Sequence, residues 1–179
     1  MKKVFTFIMA AFMMAFMQIS PVGTAEAANV AVVPIQIDDA QVERASDLNN
    51  YYWDMLVEKF QYPEYELIAD EKVADAIPDT GLTVFDQAAL MDLNTKLDAD
   101  IVIAMRIDKV TETPKPFLRE PALQCVMKGE FASYNRLTGN YYRKKINYSE
   151  QIEEVLTLRN DWQQNAFADF LRRGINRTI

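Results

Sequence analysis

The stretch ALQCVMKGEFASYNRLTGNYYRKKINYSEQI, residues 122–152, decides the fold. From 122 to 136 it alternates: Leu123, Cys125, Met127 and Phe131 fall on one side, Gln124, Lys128, Glu130 and Tyr134 on the other. Period two with one apolar side predicts a half-exposed antiparallel strand. Leu137-Thr138-Gly139-Asn140 supplies the turn. Residues 141–152 then return as a second long strand, with Tyr142, Ile146 and Tyr148 on one side and Arg143, Lys145 and Asn147 on the other. A long hairpin near the C-terminal end therefore frames everything else.

Working outward, residues 157–173 have helical spacing and close the chain, with Trp162, Ala166, Phe167, Phe170 and Leu171 inward. Arg172, Arg173 and Arg177 gather at that helix's C-terminal end, where cations suit the helix dipole. Upstream, 111–121 holds three prolines among polar residues and reads as a loop, and 100–107 (Asp-Ile-Val-Ile-Ala-Met-Arg-Ile) reads as a buried strand. Residues 29–37 (Asn-Val-Ala-Val-Val-Pro-Ile-Gln-Ile) read as a central strand buried on both faces, with Pro34 near its exit or at a bulge because it lacks a backbone donor. Asp38 and Asp39 close that strand.

Between these lie a helix over 41–60, a short strand over 65–69, and a short helix to Ile77 opened by Asp70 as N-cap. A turn at 78–81 follows, then a helix opened by a capping box of Thr83 and Asp86 and carrying Phe85, Ala89, Leu90, Leu93 and Leu97. The order is strand, helix, strand, two helices, three strands, helix. It predicts one layered α/β domain: a mixed sheet with helices packed on it, a long C-terminal antiparallel hairpin and a closing helix.

The N-terminus is of another kind. Lys2 and Lys3 precede an uncharged run from Val4 to Met17, then helix breakers, then Ala25-Glu26-Ala27. Such a run is too short to span a bilayer, which takes roughly 20 apolar residues, and it has the form of a cleavable signal peptide over 1–27. The expectation is an exported chain, periplasmic or extracellular, whose mature domain is 28–179. Residues 1–27 carry a net charge of +1, so the remainder stands at about −8 on the count that gives −7 for the whole. That acidity disfavours nucleic acid and anionic lipid as partners. The mature chain carries no second apolar run of spanning length.

Residue usage narrows the chemistry. Histidine is absent, which removes the commonest general base and metal ligand. Cys125 is the only cysteine, so no intramolecular disulfide forms; its place in the alternating strand reads as a small core residue. Asp38-Asp39, Asp98 with Asp100, and Glu153-Glu154 are carboxylate pairs that acid–base or metal chemistry could use, yet each falls where strand ends and turns favour Asp and Glu. The sequence has no Gly-rich phosphate loop and no Gly-x-Ser-x-Gly. The expectation is a non-enzyme with no cofactor and no metal. In Tyr51-Tyr52-Trp53, Tyr52 reads as core and Tyr51 as the more exposed ring. The hairpin carries the clearest basic cluster, and Lys128, Tyr134, Arg143, Lys144 and Lys145 form a candidate partner-binding face. Strict alternation turns Lys144 away from Arg143 and Lys145.

Val30-Ala-Val-Val-Pro-Ile35, Tyr65-Glu-Leu-Ile-Ala-Asp70 with Val73 and Ile77, Leu97-Asp-Ala-Asp-Ile-Val-Ile103 and Ala132-Ser-Tyr-Asn-Arg-Leu-Thr-Gly-Asn140 together span most of the mature chain. In order and spacing they resemble the superfamily of exported envelope proteins that includes CsgG, LpoB and the amino-terminal domain of TolB. The resemblance implies an envelope protein acting by protein–protein contact, as adaptor or accessory factor. A ring or channel subunit, hence a homo-oligomer, is the second implication, and an unrecognised hydrolase is a third reading. The chain lacks the cysteine to which a lipid would be attached near its cleavage point, and Lys128, Glu130, Arg143, Lys144 and Lys145 break up any lipid-facing side of the hairpin.

Overall fold

A computed structural model describes residues 26–37, 45–78, 81–115, 122–153 and 156–179. Most of the signal segment, Asp38-Asp39 and Glu154 lie outside the described residues. The strands are β1 (Ala28–Val32), β2 (Gln36–Ile37), β3 (Tyr65–Leu67), β4 (Ile101–Lys115), β5 (Ala122–Asn135) and β6 (Asn140–Glu153). The helices are α1 (Ala45–Lys59), α2 (Asp70–Ala76), α3 (Gln87–Leu97) and α4 (Leu156–Thr178). One mixed sheet runs β3-β1-β4-β5-β6, with β2 pairing β4 beyond the end of β1. The β1–β3, β1–β4 and β2–β4 pairs are parallel, and β4, β5 and β6 form an antiparallel meander. This is the mixed α/β sheet with a long hairpin and closing helix that the sequence predicts.

Side-chain alternation sorts the sheet into two cores. On one face Val30, Val32, Ile101, Ile103, Met105, Leu123, Cys125, Met127, Phe131 and Ile146 pack beneath α1 and α4. Tyr52 is fully buried there and its hydroxyl donates to the Val33 carbonyl at 3.2 Å, which satisfies a polar group that burial would otherwise leave unpaired. Its ring and that of Tyr51 both meet Phe167 edge to face, so Tyr51 is half-buried rather than free. Phe167 is fully buried, a burial that contributes about 1.5–3 kcal/mol. The opposite face, with Ala31, Val33, Val102, Ala104, Ala132 and Tyr134, is covered by α2, α3 and Phe85.

Several boundaries move for identifiable reasons. The 29–37 strand is two pieces, split around Pro34 and both paired to β4, as the missing donor requires. Ala69, not Asp70, is the N-cap of α2, and Asp70 sits in the first turn, where its charge suits the dipole. Asp86 is itself the N-cap of α3, accepting from the Ala89 N–H at 2.8 Å; Thr83 takes no part. Phe85 and Leu90, both buried, then bracket that cap as a hydrophobic staple.

β4 continues through Lys115 although 111–115 reads as loop. Past Ile37 it has β5 on one side and no strand on the other among the described residues, and an edge accommodates Pro114. α4 continues through Gly174 to Thr178. A Cβ at Gly174 would stand 2.6 Å from the Phe131 ring, so this glycine permits close packing of helix on sheet and does not end the helix.

Candidate partner-binding face

The three long strands present different surroundings on their two sides. On the α4 side Tyr148 stacks on Trp162 at 5.6 Å between centroids, and the Trp162 indole N–H donates to Glu112 at 2.8 Å. On the other side α3 and Phe85 cover only the half near the β5–β6 turn. There the Tyr141 hydroxyl donates to the Phe85 carbonyl at 2.6 Å, and the Arg106 guanidinium lies 5.2 Å from the Phe85 ring centre. Beyond Arg106 no described element lies over the sheet. The open half shows Lys109, Thr113, Lys115, Lys128, Arg143, Lys145, Asn147, Ser149 and Gln151 to water.

A bulge shapes this surface. The β4–β5 register shifts between Ile107 and Lys109. An extra residue lets Asp108 and Lys109 both project outward while Val110 returns to the core. Lys109 then lies directly opposite Lys128. Like charges in direct cross-strand register destabilise a sheet.

One row further in, Glu130 is 4% exposed and holds two arginines: Arg143 Nε at 2.8 Å and Arg106 at 3.7 Å. Arg106 Nε also stands 2.5 Å from Asp108. The bond to Glu130 pushes the Arg143 guanidinium further above its already high range, so it stays charged. A cleft of about 670 Å³ opens beside Arg106, between Gln36, Ile77, Pro78 and Thr83.

The candidate residues divide. Lys128, Arg143 and Lys145 share the open face, joined by Arg106, Lys109 and Lys115; sequence reading left out the two lysines because the bulge and the length of β4 carry no local signal, and Arg106 because it reaches the hairpin only through the pairing of β4 with β5. Lys144 points to the opposite face, as alternation requires. Tyr134 is on the same side of β5 as Lys128 but lies at the covered end, 9% exposed against the α2–α3 core, and is not available to a partner.

Of the candidate carboxylates, Asp98 and Asp100 brace the end of the sheet. Asp100 Oδ2 accepts from the Asn29 N–H at 2.9 Å, and Oδ1 accepts from Arg136 at 2.8 Å. Burial pushes the Asp100 carboxyl up, but these two bonds outweigh it and hold the group below its ordinary range. Asp98 adopts a left-handed conformation at the end of α3, φ 49°, and also meets Arg136. Cys125 is buried against the α4 core. Among the described residues no group of three potential metal-ligating side chains comes together. No described helix is long and apolar enough to cross a membrane.

No family model matches the sequence, and no curated protein does. Solved structures do resemble it. A hypothetical protein of Chlamydia trachomatis aligns at 13% identity and TM-score 0.41, over 82% of this chain and 95% of that one. The PelC dodecamer of Paraburkholderia phytofirmans aligns at 12% and 0.46, over 86% and 89%. The LpoB C-terminal domain of Salmonella enterica aligns at 12% and 0.36, over 74% and 87%. Function resides in sites grafted onto folds, so the site itself has to carry the functional reading.

Proposed function

We propose that this chain is exported with loss of residues 1–27 and works outside the cytoplasm as a non-enzymatic accessory protein of the envelope, docking an acidic protein partner on the open half of its sheet. The observation that carries this reading is the basic surface itself. Arg106, Lys109, Lys115, Lys128, Arg143 and Lys145 share one side of three strands in a chain whose formal charge is −7, and the acids on that side, Asp108, Glu130 and Glu153, number half as many and leave it basic. Lys109 opposite Lys128 costs the sheet stability, and an acidic partner offsets that cost. The flat, polar rim of Thr113, Asn147, Ser149 and Gln151 suits hydrogen bonds and bridging waters at such an interface.

The test is crosslinking in intact cells with Lys109→Glu and Lys128→Glu introduced together. Both side chains are exposed and lie away from the packed core, so the variant keeps its fold. Capture of one envelope protein by the natural chain, and its loss from the variant, supports docking on this face. Capture that survives the charge reversal rules it out.

A further inference from the structure

The cleft beside Arg106 follows the edge of a strand. β3 pairs with β1 only as far as Leu67 opposite Val30, and the chain then leaves for α2 at Asp70. β1 and β2 carry their own line on to Ile37 alongside β4. Residues 31–37 therefore have β4 on one side and, among the described residues, no strand continuing β3 on the other. The connections explain this gap. From β2 the chain passes to α1 on one face of the sheet, and from β3 to α2 on the opposite face. Neighbouring parallel strands whose connections part in this way leave a crevice at their carboxyl ends, the place where open α/β sheets bind ligands.

The backbone can be followed into the gap. Ile68 N–H donates to the Val30 carbonyl at 2.9 Å, so Val30 turns toward β3, and Val33 N–H donates to the Ile103 carbonyl at 2.8 Å, so Val33 turns toward β4. By alternation the N–H and C=O of Val32 turn toward the gap, beyond the end of β3. A bulge follows: Val32 pairs with Ile103 and Gln36 with Arg106, four steps against three, with Pro34 between them. Pro34, Ile35, Gln36 and Ile37 all line the cleft. Successive strand residues point to opposite faces, so a cleft that touches all four runs along the edge and not over one face. Ala74, Ile77 and Pro78, at the end of α2, line it as well. The turn at Gly81 closes one side. Its N–H donates to the Pro78 carbonyl at 2.7 Å. The Gln36 carboxamide, turned to suit, donates to the Leu82 carbonyl at 3.3 Å and accepts from the Leu82 N–H. A side chain at Gly81, φ 78°, would overlap Gln36, so this wall is fitted to the strand.

A groove between an open strand edge and a helix is where extended peptides add to sheets: main-chain hydrogen bonds give affinity, and pockets for alternate side chains give specificity. Its volume, about 670 Å³, lies within the roughly 300–1,000 Å³ of ligand clefts. We infer that the acidic partner proposed above inserts an extended segment here, adding a strand beside residues 32–37. Alternate apolar side chains of the segment meet Ile77 and Pro78, and its carboxylates turn toward the basic face that begins at Arg106. Arg106 already faces Asp108 and Glu130, so the main chain of the segment carries more of the affinity than its charge does. The inference rests on the reading above for the identity of the partner; the groove itself does not depend on Lys109 or Lys128.

The experiment selects heptapeptides from a random displayed library on the processed chain, purified from cells that export it, and counter-selects on its Ala74→Trp variant. Ala74 is exposed and lines the cleft, so the larger ring fills the groove from outside the core. Enriched sequences are synthesised and their binding measured by calorimetry. They alternate apolar and acidic residues, and Ala74→Trp raises their dissociation constant about tenfold or more. N-methylation of every second residue abolishes binding in one phase and spares it in the other, because an added strand turns only alternate N–H groups to its neighbour. Lys109→Glu with Lys128→Glu leaves these peptides bound. Circular dichroism verifies each fold; should Ala74→Trp unfold the chain, Thr83→Trp, at another exposed position in the cleft, replaces it. No sequence enriched on the natural chain over the variant overturns the inference, as do peptides that the variant binds equally or that tolerate N-methylation in both phases. The two readings fail separately. Partner capture in cells that survives Lys109→Glu with Lys128→Glu removes docking on the open face, while peptide selection alone decides the groove.

Discussion

The two sides of β4, β5 and β6 are made from the same strands, residue by alternate residue, and obey different constraints. On the α4 side shape governs. Tyr148 stacks on Trp162, and a methyl group added at Gly174 would collide with Phe131. On the open side charge governs, and the only deeply buried side chain among its charged residues is Glu130, held by Arg143 and Arg106. One side is specified by volume, where each atom has a neighbour to fit. The other is specified by sign, where side chains keep much of their freedom and their contact with water.

That contrast can be broken or sharpened by substitution. The largest effect belongs to the covered side: Phe167→Ala removes a fully buried ring and costs about 3–5 kcal/mol, read as a lower urea midpoint with unchanged slope. An equal midpoint would mean that α4 contributes little to the core. The next belongs to the boundary between packing and charge. Glu130→Gln keeps the shape and removes the buried charge that Arg143 and Arg106 face, and costs about 1–2 kcal/mol in the same measurement. A stabilising result would show that desolvating this carboxylate outweighs its two ion pairs. The smallest belongs to the open side and has the opposite sign. Lys128→Gln relieves the like-charge pair with Lys109 and raises stability by about 0.2–0.5 kcal/mol.

Period-two alternation made the hairpin legible down to which side chains share a face: Leu123, Cys125, Met127 and Phe131 point one way and Lys128 and Glu130 the other, as observed. Element order likewise gave the mixed sheet. Apart from the two helix caps, which moved within a single turn, the misses share a cause: each depends on a neighbour distant in sequence. Gly174 resembles a helix end until Phe131, 43 positions earlier, is placed beneath it. Pro114 resembles a loop residue until β5 pairs with it and the absence, among the described residues, of a strand on its other side makes it tolerable. Tyr134 alternates correctly with Lys128, but alternation gives the face and not how far along the strand a covering helix reaches. The basic surface was half legible: Lys128, Arg143 and Lys145 lie within one hairpin, whereas Lys109 joins them only through a bulge that no residue pattern announces.

The last turn of α4 is tied far back along the chain. Thr178 Oγ1 bonds with Ser133 Oγ at 2.6 Å, Asn135 Nδ2 donates to the Thr178 carbonyl at 2.9 Å, and Asn140 Nδ2 donates to the Arg177 carbonyl at 2.7 Å. This fastening joins positions some forty residues apart and holds α4 down on the sheet. Were α4 displaced, Leu123, Met127 and Phe131 would face water together. The three bonds that end the helix therefore also keep an apolar sheet face from becoming a surface for aggregation.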